Sequence, residues 1–398
     1  MPDKRERGAG AEAEIHRRIA GEIEQLRGHS QLRTLEIPAG IDLSSNDYLG
    51  LAYDPRVREA ARESLAHAGR VGATGSRLLS GNAREWEDLE ADFAAFAGTE
   101  AALYFGSGYA ANLGVLTSLL RPGDVVFSDA RNHASLIDGM RLSGATKVIC
   151  PHRDLDFLRN ALHEHSGATG AKLIATESVF SMEGDVAPLE GMLRLAKQHG
   201  AALVVDEAHA TGVGGPSGRG LAAEAGIERE VLAIVHTCGK ALACAGAFVS
   251  GRQALKEFLI NRARTFIFST AMPPYFAGQI RAALELARAA DRERTYLRDI
   301  ARELRDELHA AGIECGSSST HIVPVILGGN DAALHVANSL QRAGFAARAI
   351  RPPTVPPGTA RIRISLTCRI TREQMRRLAE ELRGACALVR QGAETANA

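Results

Sequence analysis

At 398 residues, with 45% hydrophobic and 24% charged side chains, the chain has a globular composition and the length of two packed units. Forty-seven Lys and Arg balance forty-seven Asp and Glu, so the basic surplus that nucleic-acid binding favours is absent. No apolar run approaches the ~18–20 residues that cross a bilayer, and the charged N-terminus has no apolar signal-peptide core. The expectation is a cytoplasmic protein with neither nucleic acid nor membrane as a partner. Six cysteines show no C-x-x-C spacing, which predicts free thiols in a reducing compartment and no metal site.

In chain order, Ile15, Ile19, Ile23 and Leu26 recur at near-helical spacing and predict an amphipathic first helix. A Gly- and Asn-punctuated stretch (41–50) follows, then a helix near 55–68. The middle of the chain alternates short apolar runs with helical patterns. Residues 101–105, 124–128, 146–150, 172–177, 201–206, 232–237 and 247–250 read as strands, with helical segments such as 155–163 and 189–199 between them. That alternation predicts an α/β domain with a large, mostly parallel sheet covered by helices on both faces. Beyond about residue 285 the texture changes to a long Arg/Glu-rich helix (287–311), a strand (321–327), a helix (332–343), a strand (360–366) and a helix (371–389). This reads as a smaller α+β domain. The expected division is an N-terminal helix and extended segment (1–55), a large domain (56–286) and a small C-terminal domain (287–398). The Pro-rich 351–358 reads as an ordered loop, and 391–398, with little to bury, as unstructured.

The sharpest local signal is Ala201-Ala-Leu-Val-Val-Asp-Glu-Ala-His209. It places Asp206 at the carboxyl end of a buried strand, where open α/β sheets bind ligands. Some P-loop helicases carry the same Asp-Glu-Ala-His, but they also need G-x-x-x-x-G-K-[ST]. The one Gly-Lys pair here, Gly239-Lys240, is followed by Ala241 and preceded by Ile234 where the first glycine belongs. A lysine is ordinarily a solvated surface group. Lys240, however, lies between apolar stretches in a chain of six lysines and forty-one arginines. Desolvation there would lower its pKa and let the amine attack a carbonyl. Pyridoxal 5′-phosphate (PLP) chemistry requires such a Schiff-base lysine with an acid on the pyridine nitrogen. Asp206 supplies that acid, and His209 could meet the phenolic oxygen. Tyr104-Phe-Gly-Ser-Gly-Tyr-Ala-Ala-Asn112 opens a helix after a strand, which offers free amides to a phosphate. The same segment matches G-x-G-x-x-A, with Asp129 ending the next strand, so a nicotinamide-dependent oxidoreductase is the rival from another class. It leaves the Asp206/Lys240 pairing without a role.

In order along the chain stand Ser45-Asn-Asp-Tyr-Leu-Gly-Leu51, Gly75-Ser-Arg-Leu-Leu-Ser-Gly81, Ser107-Gly-Tyr-Ala-Ala-Asn112, Asn132-His-Ala-Ser-Leu136, Glu177-Ser-Val-Phe-Ser-Met-Glu-Gly-Asp185, Asp206-Glu-Ala-His209, Thr237-Cys-Gly-Lys240, Phe268-Ser-Thr-Ala-Met-Pro-Pro274 and Arg351-Pro-Pro-Thr-Val-Pro356. This ordered set resembles the α-oxoamine synthase family of PLP-dependent enzymes over about residues 31–387. The resemblance implies the PLP-dependent transferase fold type I, the aspartate aminotransferase-like architecture.

By the same resemblance, Lys240 would carry the cofactor and Asp206 would meet its ring nitrogen. His209 and Ser181 would bind the ring oxygen, and His133 would stack on the ring. The amides of Gly108 and Tyr109, with Thr237, would hold the phosphate. Thr270 would reach the phosphate of a neighbouring subunit, which implies a homodimer with shared active sites. Arg363 would grip the amino-acid carboxylate, a task that suits a guanidinium fork. Asn46 and Thr354 would line the substrate site, and Arg33 would meet the acyl group. Members of the family condense an amino acid with an acyl thioester and release CO₂. The Gly75–Gly81 pattern is most similar to members of biotin biosynthesis that join L-alanine to pimeloyl-CoA or pimeloyl-carrier protein, giving 8-amino-7-oxononanoate. A relative with another amino acid and acyl donor, such as a glycine C-acetyltransferase, is the alternative.

Overall fold

A computed structural model describes the backbone of residues 4–396 and the side chains of residues 12–391. Its strands are β1 (Ile41–Asp42), β2 (Ala101–Phe105), β3 (Val125–Asp129), β4 (Thr146–Cys150), β5 (Lys172–Glu177), β6 (Ala201–Asp206), β7 (Ala233–Thr237), β8 (Ala247–Gly251), β9 (Ile322–Gly328), β10 (Phe345–Ala346), β11 (Ala349–Ile350) and β12 (Ala360–Ser365). One sheet runs in the order β2-β8-β7-β6-β5-β3-β4. β8 is antiparallel to both neighbours, and the other pairings are parallel.

The strands read as unbroken apolar runs because both sheet faces are covered. Successive side chains point to opposite faces. Val204 therefore packs with Val126, Leu173 and Val235 under the helices Gly108–Leu119 and Ala134–Ser143. Leu203 and Val205 pack with Phe127, Ile174 and Ile234 under Leu155–Glu164 and Leu189–His199. Each strand expected for this sheet is present, with ends within one residue of the reading above.

A second, antiparallel sheet, β11-β12-β9, is backed by the helices Asp291–Ala310, Asn330–Arg342 and Arg372–Ala396. The segment that follows the first helix is grafted onto this unit. β1 pairs with β10 in parallel. The Leu43 carbonyl accepts from the Ser365 amide at 2.8 Å, and the Tyr48 carbonyl from the Cys368 amide at 2.9 Å. These bonds carry Asn46 and Tyr48 into the space between the two sheets.

Two expectations need correction. The stretch read as one helix over 287–311 is two, Phe276–Arg288 and Asp291–Ala310. The buried guanidinium of Arg294 donates to the carbonyls of Ala287 and Arg288 and to that of Gly212, satisfying the first helix's end and fixing the break. The last helix continues through Ala396, so 391–396 is helical where no structure was expected; residues 397 and 398 lie outside the described residues. The first helix spans Lys4–Gly28. Its Ile15 and Ile19 are each 49% exposed, so the apolar stripe faces solvent in the single chain. Among the described residues, no helix is long and apolar enough to cross a membrane.

Candidate active site

β5, β6 and β7 end at Glu177, Asp206 and Thr237, so three polar side chains stand on the carboxyl edge of the sheet. The loop that follows β7 closes on itself through Cys238 N to the Gly246 carbonyl and Cys244 N to the Cys238 carbonyl, both 2.8 Å. Lys240 projects from this loop, and its Nζ lies 2.8 Å from His209 Nε2. Burial lowers its pKa to about 8, against the opposing pull of the Asp206 and Glu177 carboxylates. His209 is buried as well, and desolvation, followed by the charges of Lys240 and Arg363, pushes its pKa well down. The imidazole is therefore neutral. Its Nδ1 lies 2.6 Å from the Tyr48 hydroxyl.

Asp206, 4% exposed, accepts from Asn112 Nδ2 at 2.6 Å and from the Ala208 amide at 2.8 Å. Asn112 also donates to Ser135 Oγ at 2.9 Å. The neighbouring loop is shaped by His133, which caps the helix Ala134–Ser143 through Nδ1 to the Ser135 amide. Burial lowers the His133 pKa, with the Asp206 charge opposing.

The helix Gly108–Leu119 begins beside Thr237, whose Oγ1 would lie 3.5 Å from a Cβ at Gly108. The Ser107 side chain takes the Ala110 amide and its carbonyl takes the Ala111 amide. The amides of Gly108 and Tyr109 are the remaining first-turn donors, which makes an anion site at the helix N-terminus. The Tyr109 side chain points away, and its hydroxyl donates to Asp138.

Across the cleft, Arg363 on β12 donates from Nε to the Ser181 carbonyl and from Nη1 to Ser365 Oγ, while Nη2 meets Asn46 Oδ1 at 3.2 Å. The fork is thus fixed in one orientation, and a guanidinium with five donors still has capacity for a carboxylate. Ser181 also gives its amide to Glu177 Oε2 at 3.3 Å. Arg33 and Thr354 are exposed and meet each other at 3.0 Å. Thr270 is exposed on a loop tied by the Ala271 amide to the Gly75 carbonyl, apart from the Lys240 cluster of its own chain.

Two buried atoms at this edge lack partners, Glu177 Oε1 and Asn112 Oδ1. The donor set fits a cofactor with a carbonyl, a basic ring nitrogen and an anionic tail. Lys240 offers the amine, Asp206 the carboxylate, and the Gly108 helix the amides. The acid of the dinucleotide alternative, Asp129, is instead taken up by its own loops, accepting from His152 Nδ1 at 2.9 Å and from the Arg131 and Arg153 amides at 2.8 Å. Tyr48, Asn112 and Glu177 had no role in the sequence reading. Their one signal was a polar residue set inside the quoted motifs.

Comparison with known proteins agrees with this geometry. Residues 38–382 match the family model "Aminotransferase class I and II". The chain is 45% identical to the 8-amino-7-oxononanoate synthase of Geobacter sulfurreducens over 365 residues, 88% of this chain and 93% of that protein. It superposes on a serine palmitoyltransferase from S. paucimobilis with PLP and myriocin bound, at a TM-score of 0.85 and 31% identity over 93% of this chain and 97% of that one. The 8-amino-7-oxononanoate synthase of Francisella tularensis gives a TM-score of 0.75 at 27% identity, covering 87% and 97%. The chain belongs to the aminotransferase class I and II family and, within it, to the α-oxoamine synthases.

Proposed function

We propose that the chain condenses L-alanine with pimeloyl-CoA or pimeloyl-carrier protein, giving 8-amino-7-oxononanoate, CO₂ and the free thiol, with pyridoxal 5′-phosphate as cofactor. The carrying observation is that the desolvated Lys240, paired to His209, and the Arg363–Asn46 fork are parts of one continuous contact network. The G. sulfurreducens relative supports the choice of substrates.

Bound at the sheet edge, PLP supplies a carbonyl for covalent capture of the amino acid and an electron-drawing ring for charge at Cα. Lys240 holds the cofactor through Nζ. Its amine would also be the base for the Cα proton, a task that suits a lysine whose burial lowers its pKa to about 8. Asp206, oriented by Asn112, would meet the ring nitrogen. His209 and Ser181 would serve the ring oxygen, and His133 would hold the ring face. Gly108, Tyr109 and Thr237 hold the phosphate. Arg363 and Asn46 would hold the carboxylate that departs as CO₂, while Thr354 and Arg33 would meet the acyl donor.

The same reading includes a homodimer in which Thr270 of a second copy completes the phosphate site. Leu79 at 82%, Val71 at 74% and Phe268 at 70% exposure form apolar surface on loops around Thr270, the kind of surface a partner covers.

The test is release of labelled CO₂ from the carboxyl carbon of L-alanine, glycine and L-serine, each with pimeloyl-CoA. Thioester-dependent release chiefly from L-alanine is expected. Release chiefly from glycine or serine would overturn the substrate while keeping the reaction class, and release from none would overturn both.

A further inference from the structure

We infer that Tyr48 is a positioning residue that couples the cofactor's ring oxygen to the amino-acid carboxylate clamp, by delivering its one hydroxyl proton to either of two acceptors. The inference rests on the reading above that His209 holds that oxygen.

Tyr48 is fully buried. Its hydroxyl lies 3.0 Å from Asn46 Oδ1 and 2.6 Å from His209 Nδ1, and it has a single proton to give. The ring packs edge-on against His321, with centroids 3.9 Å apart, so the choice is made by rotating the O–H bond and not by moving the ring. The groups facing this network are Lys240, Arg363, His133 and His321. His321 is neutral, burial pushing its pKa down to about 3. Burial also pushes the Tyr48 phenol up to about 12, with Arg363 opposing. His209 is neutral too and carries one N–H. What passes along this chain is therefore the position of a proton and not a net charge.

Two arrangements satisfy every partner. While Lys240 donates to His209 Nε2, the imidazole proton sits on Nδ1 and donates to the Tyr48 oxygen. The Tyr48 hydroxyl then turns to Asn46 Oδ1, which also accepts from Arg363 Nη2. When an oxygen acceptor faces Nε2, the proton moves to Nε2 and Nδ1 accepts from Tyr48. Asn46 Oδ1 is then left with Arg363 alone. A substrate carboxylate competes for the Arg363 donors, so it draws the Tyr48 hydroxyl back toward Asn46 and pulls the His209 proton back toward Nδ1. The two sites are linked, and the linkage is reciprocal.

The test follows the ring nitrogens of His209 by ¹⁵N NMR in histidine-labelled protein, using propionate as a probe that carries the substrate's carboxylate without its amine. Among the thirteen histidines, the signal is assigned by its loss in His209→Gln. The cofactor-free protein is expected to show Nδ1–H, the PLP-loaded protein Nε2–H, and propionate added to the loaded protein a partial return to Nδ1–H. In Tyr48→Phe the response to PLP should persist and the response to propionate should vanish, with PLP dissociating up to about tenfold more readily. If PLP leaves the proton on Nδ1, the placement of the ring oxygen on His209 falls and the coupling with it. If PLP moves the proton but propionate does not, in the unaltered protein, the coupling alone falls. That last measurement needs no substitution.

Discussion

Glu177 and Asp206 stand level with one another as the final residues of adjacent parallel strands, in register. Two carboxylates so placed cannot both ionise cheaply. Asp206 is supplied with the Asn112 side chain and the Ala208 amide. Glu177 is buried, with one oxygen unpartnered. Burial, then the Asp206 charge, pushes its pKa up to about 8, with Lys240 opposing. Glu177 therefore holds its proton to a higher pH than an ordinary glutamate, beside the residue proposed to meet the cofactor's ring.

In the cofactor-free protein, native Glu177 keeps its proton to about pH 8, whereas an unfolded glutamate loses it near ~4.3. The native state thus binds more protons between those values, and its stability falls across them as pH rises. Glu177→Gln should remove this loss. Denaturant unfolding at pH 5 and pH 8 should show the variant gaining on the unaltered protein at the higher pH. An equal slope in both proteins would refute the assignment.

His152 bridges Asp129 at 2.9 Å and Asp185 at 3.0 Å, with Arg153 and Ser317 also on Asp185. Burial lowers its pKa, but the two carboxylates prevail and raise it to about 9. A raised histidine contributes stability that is fully present below the unfolded value near ~6.5 and is lost as pH climbs through the folded value. Tm should fall by a few °C between pH 7 and pH 9.5, and His152→Gln should start lower and fall less. Parallel curves would count against it.

Asp206→Asn keeps shape and removes charge. The rate of Cα proton removal in single-turnover experiments should fall by about two to four orders of magnitude, while the protein still folds. A loss below about tenfold would argue against the ring-nitrogen role.

Arg363→Lys replaces a fixed fork with a point charge. KM for L-alanine should rise about tenfold or more, with a smaller change in kcat, as steady-state kinetics would read. A fall in kcat at constant KM would place Arg363 elsewhere in the cycle.

Mixing subunits tests the shared site. Lys240→Ala and Thr270→Asp are each expected to be nearly inactive. In a heterodimer of the two, one site carries both substitutions and the other neither, so activity should reappear on refolding them together. Its absence, with heterodimers demonstrated by mass, would mean that Thr270 serves no partner.

The large sheet was legible because both of its faces are buried, which leaves runs such as Leu203–Val204–Val205 with no polar interruption. Asp206 stood out because it ends such a run, and Lys240 because it comes three residues after the buried strand β7. The break after Arg288 was not, because it depends on Arg294 folding back onto that helix's carbonyls and onto Gly212, 82 residues away in sequence. Tyr48 was equally hidden, since its partner His209 is 161 residues distant. The burden on Glu177 comes from strand register, which no local pattern displays.

The pairing of β1 with β10, and of Leu43 with Ser365, has a consequence for biosynthesis. The segment bearing Asn46 and Tyr48 leaves the ribosome early, yet its backbone partners belong to the last part of the chain. Until those residues emerge, the nascent protein lacks the backbone partners that hold Asn46 and Tyr48 in place. Such long sequence separation makes this closure a late event in folding. A chain truncated before Arg363 would leave that segment without its anchor at Ser365 and Cys368.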